Sequence, residues 1–426
     1  MTAPLGLGLI TGPFPTIVDA LGAVALLALL VTRRWRRWLP IAVSVAAACF
    51  FLGLITCWVL GDLLDLFGVT LSMASRVWFG IGLAGFGLGV ARLLFSRKRL
   101  AALWAASAAV LALVGGLGLN ADLADFPTVG TLLGISEFTP IQLPAVSPHV
   151  PLAGWTSSIA VPSHGRVGLV KIPATTSGFP ARDAVVYLPP AALVSDPPAL
   201  PVLELLSGQP GQPADLFVKG HLARFLDAFA QTHGGLAPTV VVPDQLGSPS
   251  RNPMCVNSSL GKSATYLTVD VPRWIRSHLA VESGPGAWGI GGFSQGGTCA
   301  IQLGASLPNL YGTIFDISGE VAPESGSLQH TIDAGFAGSL SAYRAALPAN
   351  IMSRVGPYAQ TFAVFAVGAA DTRYGPGLRT VAADASAAGM RSRVLVSPGT
   401  AHDWRTVMFA FDHSVPLIAE NWGLNG

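Results

Sequence analysis

A serine at the centre of a glycine-rich stretch is the residue of this chain best suited to act as a nucleophile. Ser294 lies in the pentad Gly292-Phe293-Ser294-Gln295-Gly296, between an apolar run and a segment of small residues that opens a helix. The pentad fits G-x-S-x-G, the strand-to-helix elbow that lifts a serine Oγ above a parallel sheet. The nucleophile on such an elbow takes strained backbone angles, and side chains two residues to either side would collide across the turn. A simple glycine-rich turn is the alternative.

A serine nucleophile needs an acid and a base, which follow it in the chain order Ser, Asp or Glu, His. Asp371 stands just past one later apolar run and His402 just past the next. The histidine would take the serine proton, and the aspartate would fix its tautomer and stabilise the imidazolium. Asp316 and Glu320, assigned to the segment that follows the sixth predicted strand, and His413, in the last predicted helix, are the alternatives.

Backbone N–H groups must also stabilise the oxyanion that forms during acyl transfer. The residue after the serine, Gln295, supplies one of them in this kind of elbow, and the loop after the third strand supplies the other. That loop contains Gln209, followed by Pro210, which has no N–H. We therefore expect the N–H groups of Gln209 and Gln295 to form the oxyanion hole, with a plain glycine turn as the alternative for the first.

The elements that must position these residues begin near residue 166. Short apolar runs there alternate with longer helical stretches, which is the pattern of a mostly parallel sheet covered on both faces. The predicted strands are 167–172, 184–188, 202–206, 239–242, 287–290, 313–317, 362–367 and 392–396. Eight strands with the serine after the fifth predict an α/β class chain with an α/β-hydrolase fold, and Asp371 and His402 lie at the strand ends where such a sheet gathers its site.

The first third of the chain has a different character. Of the 426 residues, 51% are hydrophobic and only 11% are charged, which is too apolar for an ordinary soluble enzyme. Four apolar runs are each close in length to the roughly 20 residues that cross a bilayer. These runs are 17–31, 39–60, 77–95 and 100–119. We therefore predict a four-helix transmembrane region.

Basic clusters predict the direction of the spans. One, in the segment 33–37, follows the first run, and Arg97-Lys98-Arg99 joins the third run to the fourth. By the positive-inside rule both clusters are cytoplasmic, so the N-terminus and everything after about Asn120 lie outside. A signal peptide is the alternative for the first run.

The predicted organisation is a transmembrane domain over 1–120, a Pro-rich linker over 121–165 and an extracytoplasmic α/β-hydrolase domain over 166–426. No His, Glu or Lys lies inside the four runs, which favours an anchor over a transport path. Cys49 and Cys57 are then small apolar fillers of a span. A groove among the helices that admits lipid is the alternative.

Three motifs together resemble a known family. The segments Leu205–Gly211, Gly292–Gly297 and Gly399–Trp404 are similar to motifs of the putative esterase family, which includes esterase D and the antigen 85 mycolyltransferases. The resemblance spans roughly residue 167 to the C-terminus. It implies that Ser294, Asp371 and His402 form the triad. Two departures are visible, since Ser207 stands where esterase D-like members usually carry His or Asp, and Asp371 is nearer the esterase pattern than the Glu of antigen 85.

Two further features lie around the predicted site. Cys255 follows the fourth strand and Cys299 lies in the helix that opens at the serine, so in an exported domain they could form a disulfide that pins the loop to that helix. Two separate buried thiols are the alternative. The segment 321–360 is too long for a plain connection and is predicted to roof the pocket. Trp404 is predicted to be a packing residue.

These features predict a serine esterase tethered to the outer face of a bacterial, actinobacterial-like plasma membrane, with an ester of a lipid or an acylated glycan of the cell envelope as substrate. An acyltransferase that moves the acyl chain to a sugar or lipid hydroxyl is one alternative, and a non-catalytic binding or sensor protein of the same fold is another. The chemistry implies no cofactor and no metal. With a net charge of +2 and only two short basic clusters, nucleic acid is excluded as a partner.

Overall fold

The computed structural model describes residues 5–64, 66, 69, 71–95, 98–135, 137–144, 150–157 and 160–424. Arg97 of the second basic cluster lies outside the described residues. The chain forms two compact units, the first comprising Met1–Glu137 with Thr400–Arg405 and the second Phe138–Gly399 with Thr406–Gly426. The division into domains at residues 120 and 165 stays a prediction.

Long apolar helices dominate the first unit. Four of them are long and apolar enough to span a membrane, as the four hydrophobic runs predict. The helices of this unit are α1 (Pro13–Leu30), α2 (Trp35–Cys57, continued by the π-helical turn Trp58–Leu63), α3 (Met73–Phe95), α4 (Ala101–Leu123) and α5 (Val129–Leu132). A 3₁₀ turn over Lys98–Leu100 precedes α4.

Glycines let α3 approach its neighbours closely. A Cβ built on Gly53 of α2 would lie 2.8 Å from the Cα of Gly80 in α3. A Cβ on Gly82 of α3 would lie 3.2 Å from the Cα of Gly115 in α4. In a lipid environment, where the hydrophobic effect does not drive helices together, such small residues allow the backbones to pack closely.

Arg92, in the last turn of α3, is a charged residue that the hydropathy pattern overlooks. Its guanidinium lies 4.5 Å from the ring centroid of Trp38 in α2 and 5.3 Å from that of Trp104 in α4. A guanidinium at these distances is attracted to the negative faces of the rings. Trp38 is held in turn, since its Nε1–H donates to the carbonyl of Leu29 at 2.8 Å. Arg92 therefore helps to join three helices of this unit.

The second unit is organised around an eight-stranded sheet. Its strands are β1 (Arg166–Val170), β2 (Ala184–Leu188), β3 (Val202–Leu206), β4 (Thr239–Val242), β7 (Trp288–Phe293), β8 (Thr313–Ile317), β9 (Phe362–Gly368) and β10 (Arg391–Ser397). Their order across the sheet is β1-β2-β4-β3-β7-β8-β9-β10. Among these described strands, β2 pairs antiparallel with β1 and β4, and the other pairings are parallel. A separate two-stranded ribbon, β5 (Asn257–Ser258) and β6 (Gly261–Lys262), was not predicted from the sequence.

Helices connect the strands, as expected for crossovers between parallel neighbours, and a last helix follows the final strand. They are α6 (Asp215–Val218), α7 (Leu222–Thr232), α8 (Ser263–Thr265, continued by the π-helical turn Tyr266–Asp270), α9 (Val271–His278), α10 (Gln295–Ser306), α11 (Leu328–Phe336), α12 (Leu340–Ala345), α13 (Pro348–Val355), α14 (Gly375–Ala387) and α15 (Trp404–Asn421). Short 3₁₀ turns lie at Pro190–Leu193 and Pro285–Ala287.

Both faces of the sheet are covered. On one face α9 and α10 pack on the central strands, and α10, α13 and α14 pack on β8 and β9. On the other face, the ring of Phe411 in α15 lies 6.4 Å from Phe225 of α7 and 6.2 Å from Phe315 of β8. Strands buried from both sides have no polar face, so β2, β3, β4, β7, β8 and β9 are buried along their whole length. The predicted α/β-hydrolase fold is confirmed.

Candidate active site

Ser294 occupies the turn between β7 and α10. Its backbone angles are φ 58° and ψ −120°. Residues with side chains rarely adopt such a conformation, which costs of order 1–3 kcal/mol. The surrounding structure holds it there, since its N–H donates to the carbonyl of Ile317 at the end of β8 at 2.8 Å. The strained elbow expected from the pentad is therefore present.

The two flanking glycines leave room for this turn. A Cβ on Gly292 would lie 2.5 Å from the carbonyl oxygen of Gly296 and 2.6 Å from that of Leu206. A Cβ on Gly296 would collide with the carbonyl oxygens of Leu206 and Ser207. The absence of side chains at both positions thus allows the elbow and the end of β3 to come together, as the sequence pattern implies.

The loop after β3 lies directly against the serine. A Cβ built on Gly208 would be 3.2 Å from Cδ1 of Phe293 and 3.6 Å from the Cβ of Ser294. Gln209 follows in the same loop, and its side-chain Nε2 donates to the carbonyl of Ser250 at 3.0 Å. The two segments that are predicted to supply oxyanion donors are therefore adjacent, whereas the donor roles of the Gln209 and Gln295 N–H groups stay a prediction.

Gln295 opens α10 and is 7% exposed. Its Oε1 accepts a hydrogen bond from Nε2 of Gln245 at 3.0 Å, and its own Nε2 donates to Oδ1 of Asn252 at 3.1 Å. Asn252 in turn donates from Nδ2 to the carbonyl of Glu324 at 2.7 Å. These contacts were not predicted, because Asn252 and Gln245 lie 43 and 50 residues away from Gln295 in sequence and form no motif with it.

Cys255 and Cys299 are joined by a disulfide with their Cα atoms 5.6 Å apart. The bond connects the loop after β4 to α10, one helical turn beyond the residue that follows Ser294. The predicted bridge is therefore found. Cys49 and Cys57 are free thiols in the first unit.

The predicted acid lies at the end of β9. Asp371 is 3% exposed, and its Oδ1 accepts the N–H of Tyr374 at 2.9 Å. Its own N–H donates to the carbonyl of Gly368, the last residue of the strand, at 3.1 Å. Asp371 thus begins a tight turn at the carboxyl edge of the sheet, the edge at which Ser294 also lies.

The alternative acids occupy different environments. Asp316 lies within β8, is completely buried, and accepts the N–H of Gly319 at 2.8 Å, so it stabilises the turn after its own strand. Glu320 lies beyond that turn, where its N–H donates to Oγ1 of Thr298 in α10 at 2.9 Å. Burial and repulsion from Glu324 raise the pKa of Glu320 to about 7, against the opposing effect of Arg373. Glu320 is therefore a second ionisable group beside the nucleophile helix.

The histidines differ in their settings. His402 is half-buried in the turn between β10 and α15, within the segment Thr400–Arg405 that belongs to the first unit. Ser294 and Asp371 belong to the second unit, so the assembly of all three into a triad stays a prediction. His413 lies on α15 with its ring stacked on Phe409 at 4.0 Å, and its Nδ1 contacts the carbonyl of Phe409 at 2.9 Å. The described ring contacts of His413 are therefore with its own helix.

The connection between β8 and β9 contains the three short helices α11, α12 and α13. It is tied to the loop that carries the disulfide, because Oγ of Ser259 donates to the carbonyl of Ala334 in α11 at 3.2 Å. A role in shaping the pocket stays a prediction. Trp404, the first residue of α15, is 8% exposed, in agreement with packing. Among the residues that the structure describes, no group of three or more His, Cys, Asp or Glu side chains could hold a metal ion.

Comparison with known proteins gives this arrangement a family. The chain matches the family described as putative esterase over residues 181–406, just over half of its length, a range that contains Gln209, Ser294, Asp371 and His402. A protein of Corynebacterium glutamicum, described only as uncharacterised, is 35% identical over 285 residues. That match covers 65% of this chain and 65% of the relative, so the chain spans just under two thirds of the relative's length.

Solved structures show the same fold. An S-formylglutathione hydrolase from Agrobacterium tumefaciens aligns with a TM-score of 0.50 at 20% identity, covering 62% of this chain and 98% of the hydrolase. A ferulic acid esterase aligns with a TM-score of 0.50 at 15% identity, covering 61% of this chain and 98% of the esterase. Identities this low show the fold alone, whereas the family match covers the elbow, its partner loop and both later motifs. The chain therefore belongs to the putative esterase family and has an α/β-hydrolase fold.

Proposed function

We propose that this protein is a membrane-anchored, extracytoplasmic serine esterase that acts on an ester of a lipid or of another cell-envelope component. The observation that carries the proposal is the strained backbone of Ser294, at φ 58° and ψ −120°, beside the loop after β3. Such strain persists only where the surrounding structure imposes it, and it is found preferentially at active sites.

In the proposed mechanism, Oγ of Ser294 attacks the ester carbonyl carbon while a ring nitrogen of His402 takes the hydroxyl proton. The π-electron pair moves onto the carbonyl oxygen, which the N–H groups of Gln209 and Gln295 stabilise. The tetrahedral intermediate then collapses, and the leaving alcohol takes the proton from His402. Asp371 orients the imidazole and stabilises its charged form.

The resulting acyl-enzyme is cleaved by the same groups in reverse order. A water molecule gives its proton to His402 and attacks the acyl carbon, and the second tetrahedral intermediate expels Ser294 Oγ, which regains the proton. The free acid leaves. An acceptor hydroxyl in place of water would give acyl transfer with the same residues.

Location supports an envelope substrate. Four helices of the first unit are long and apolar enough to span a membrane, which suggests membrane association. The segment 33–37 carries four arginines and would hold the turn after α1 in the cytoplasm. Four spans then return the chain to the outer side before the hydrolase domain begins.

The first experiment is labelling of the full-length protein in detergent with a fluorescent fluorophosphonate, comparing the natural chain with Ser294→Ala. Ser207→Ala is the matched control, because Ser207 is another serine at this edge and its buried Oγ has no hydrogen-bond partner among the described residues. We expect labelling of the natural chain and of Ser207→Ala but not of Ser294→Ala. An unlabelled natural chain would favour the non-catalytic alternative.

A second experiment separates hydrolysis from transfer. The natural chain, once shown to react with the fluorophosphonate, is incubated with a long-chain acyl ester in the presence or absence of trehalose or arabinan. The amounts of free acid and of acylated sugar are then measured. Free acid as the main product in both conditions supports the esterase. Acylated sugar in excess of free acid would make the protein an acyltransferase.

A further inference from the structure

Gln245 is a fully buried glutamine just beyond β4, three residues past the end of that strand. Its Nε2 donates one hydrogen bond to the carbonyl of Ser207 at 2.6 Å and another to Oε1 of Gln295 at 3.0 Å. Ser207 stands in the loop after β3, and Gln295 follows the nucleophile. One amide nitrogen therefore contacts both segments from which the oxyanion donors are expected to come.

The chemistry at this position requires an amide. Both acceptors are oxygens, so both N–H bonds of the amide nitrogen are used, and the opposite amide orientation would turn Oε1 towards two oxygen atoms. Oε1 itself is buried, with no hydrogen-bond partner in the part of the chain that the structure describes.

Neighbouring contacts hold Gln245 and the loop after β3 in the same frame. The adjacent carboxylate of Asp244, completely buried, pairs with Arg182 at 2.7 Å, and Nη2 of Arg182 also donates to the carbonyl of Gly211 at 3.0 Å. The backbone carbonyl of Gln245 accepts a hydrogen bond from Oγ of Ser263 at 3.0 Å. The loop after β3 is thus held at two points. Gln245 bonds to Ser207, and Arg182, which is paired with Asp244, bonds to Gly211.

From this geometry we propose that Gln245 is a positioning residue of the oxyanion hole, which holds the loop after β3 and the start of α10 at a fixed separation. The inference rests on the proposed function. Stabilisation of an oxyanion requires donors at about 2.7–3.1 Å from the position of the charge, so a shift of either segment by a fraction of that distance weakens both donors. Gln245 acts through the backbone of these segments and touches no substrate.

The test compares Gln245→Leu, which removes both donors, with Gln302→Leu as the matched control. Gln302 is also a buried glutamine, lies in α10 two turns beyond Ser294, and donates from Nε2 to the carbonyl of Ala346 at 3.2 Å. Both substitutions remove a buried amide that bonds to a carbonyl. Of the two, Gln245 alone lies between the oxyanion segments.

We expect Gln245→Leu to lower kcat for a p-nitrophenyl ester by roughly 10- to 100-fold with KM changed less than about twofold, because misplaced donors act on the transition state. Gln302→Leu should stay within about threefold of the natural kcat at a similar loss of thermal stability. The rate of fluorophosphonate labelling should follow kcat in both variants.

Gln245→Glu keeps the size of the side chain and is the second variant, should Gln245→Leu fail to fold. A carboxylate cannot donate to the two oxygens and repels them, so we expect a loss of kcat at neutral pH at least as large as that of Gln245→Leu. If kcat falls no further in the Gln245 variants than in Gln302→Leu, or if the change is wholly in KM, the inference is overturned. A natural chain that the probe labels at Ser294 keeps the proposed function intact in that case, whereas an unlabelled natural chain removes both.

Discussion

Cys255 and Cys299 are bonded across a sequence separation of 44 residues, so a loop that follows β4 is fixed to the second turn of the nucleophile helix. The same pair lies beside the Gln295 side chain, whose Nε2 is 3.3 Å from Sγ of Cys299. Loop, helix and Gln295 therefore form one connected assembly at the elbow. Disulfides of this kind persist in oxidising compartments, which agrees with the proposed extracytoplasmic location.

Removal of this bond should destabilise the second unit. We expect the double variant Cys255→Ala/Cys299→Ala to lose about 2–4 kcal/mol of unfolding free energy, because the unfolded chain regains the freedom that the cross-link removes. Thermal unfolding of the full-length protein in detergent, with and without dithiothreitol, measures this. The reductant should lower the unfolding temperature of the natural chain and of the control Cys49→Ala/Cys57→Ala. It should leave the unfolding temperature of Cys255→Ala/Cys299→Ala unchanged. Equal unfolding temperatures for the natural chain and Cys255→Ala/Cys299→Ala without reductant would contradict the expectation.

The elbow should not tolerate a methyl group at Gly296. A Cβ there would overlap the carbonyl oxygens of Leu206 and Ser207, which belong to the backbone and cannot rotate away. We expect Gly296→Ala to lose roughly 100-fold or more in ester hydrolysis, since a displacement of about 1 Å at a catalytic centre costs that much. Gly284→Ala is the matched control and should keep its activity, because a Cβ there would meet no described atom within 4 Å. Full activity in Gly296→Ala would mean that the pentad is a plain turn.

Much of this architecture follows from the sequence because strands buried on both faces form short continuous apolar runs. The predicted bounds of β2, β3, β4 and β8 agree with the structure at both ends. The strand before the serine extends further than predicted, to Phe293, because the space beside its glycines is filled by neighbours and not by their own side chains. A Cβ on Gly291 would meet Leu205 and Phe315 at 2.8 Å.

What the sequence does not reveal is the set of contacts between polar residues far apart in the chain. Gln245 is one glutamine among several, and only the structure shows that it bonds to Ser207 and to Gln295, 38 and 50 residues away. Likewise, Asp316 is an alternative catalytic acid in the sequence, but its complete burial within β8 and its bond to Gly319 give it a structural role. Arg92 does not stand out in the sequence because its neighbours in α3 are apolar, and only the structure shows that Trp38 and Trp104 lie against its guanidinium.

A buried carboxyl on β3 should make stability depend on pH. Glu204 is completely buried, and its Oε2 accepts the hydroxyl of Tyr311 at 2.8 Å. Burial raises the pKa of Glu204 from an ordinary 4.5 to about 8, because it disfavours the charged form. The folded chain therefore keeps this proton up to about pH 8, whereas the unfolded chain releases it near 4.5. Since the folded state binds more protons in this window, stability falls as pH rises from about 4.5 to 8 and is level above it.

Glu204→Gln removes that titration while keeping an amide oxygen for Tyr311. We expect the unfolding temperature of the variant to fall less between pH 5 and pH 8 than that of the natural chain. In unfolding free energy, the loss over this range should be smaller in the variant by the order of a few kcal/mol. Asp316 and Glu320, whose pKa values burial also raises to about 7, contribute to the fall in both proteins. Two parallel curves of unfolding temperature against pH would show that Glu204 does not titrate as expected.

The orientation of the spans leads to a prediction on fusion proteins. Alkaline phosphatase joined after the last residue should be active, and green fluorescent protein at the same place should not fluoresce, because the predicted topology puts the C-terminus outside the cytoplasm. The same reporters joined after Arg37, at the end of the first basic cluster, should give the opposite results. A fluorescent fusion at the C-terminus would contradict the topology and remove the argument for an envelope substrate.

The identity of the catalytic acid can be decided by two isosteric substitutions. Asp371 stands at the end of β9, whereas Glu320 lies beyond β8 with its N–H bonded to Thr298 of the nucleophile helix. If Asp371 orients His402, Asp371→Asn should lower kcat by roughly 10³- to 10⁴-fold, because the amide favours the wrong tautomer of the imidazole and cannot balance its positive charge. Glu320→Gln should then stay within about tenfold of the natural kcat.

The pair is informative because both carboxyls are buried to a large extent and both changes preserve size. Unfolding temperatures measured alongside kcat separate a loss of structure from a loss of chemistry, and fluorophosphonate labelling reports the reactivity of Ser294 in each variant. If instead Glu320→Gln is the inactive variant and Asp371→Asn keeps its activity, the catalytic acid is Glu320, in the loop after β8. The nucleophile and oxyanion segments would be unaffected by that outcome, since their geometry depends on the elbow and not on the acid.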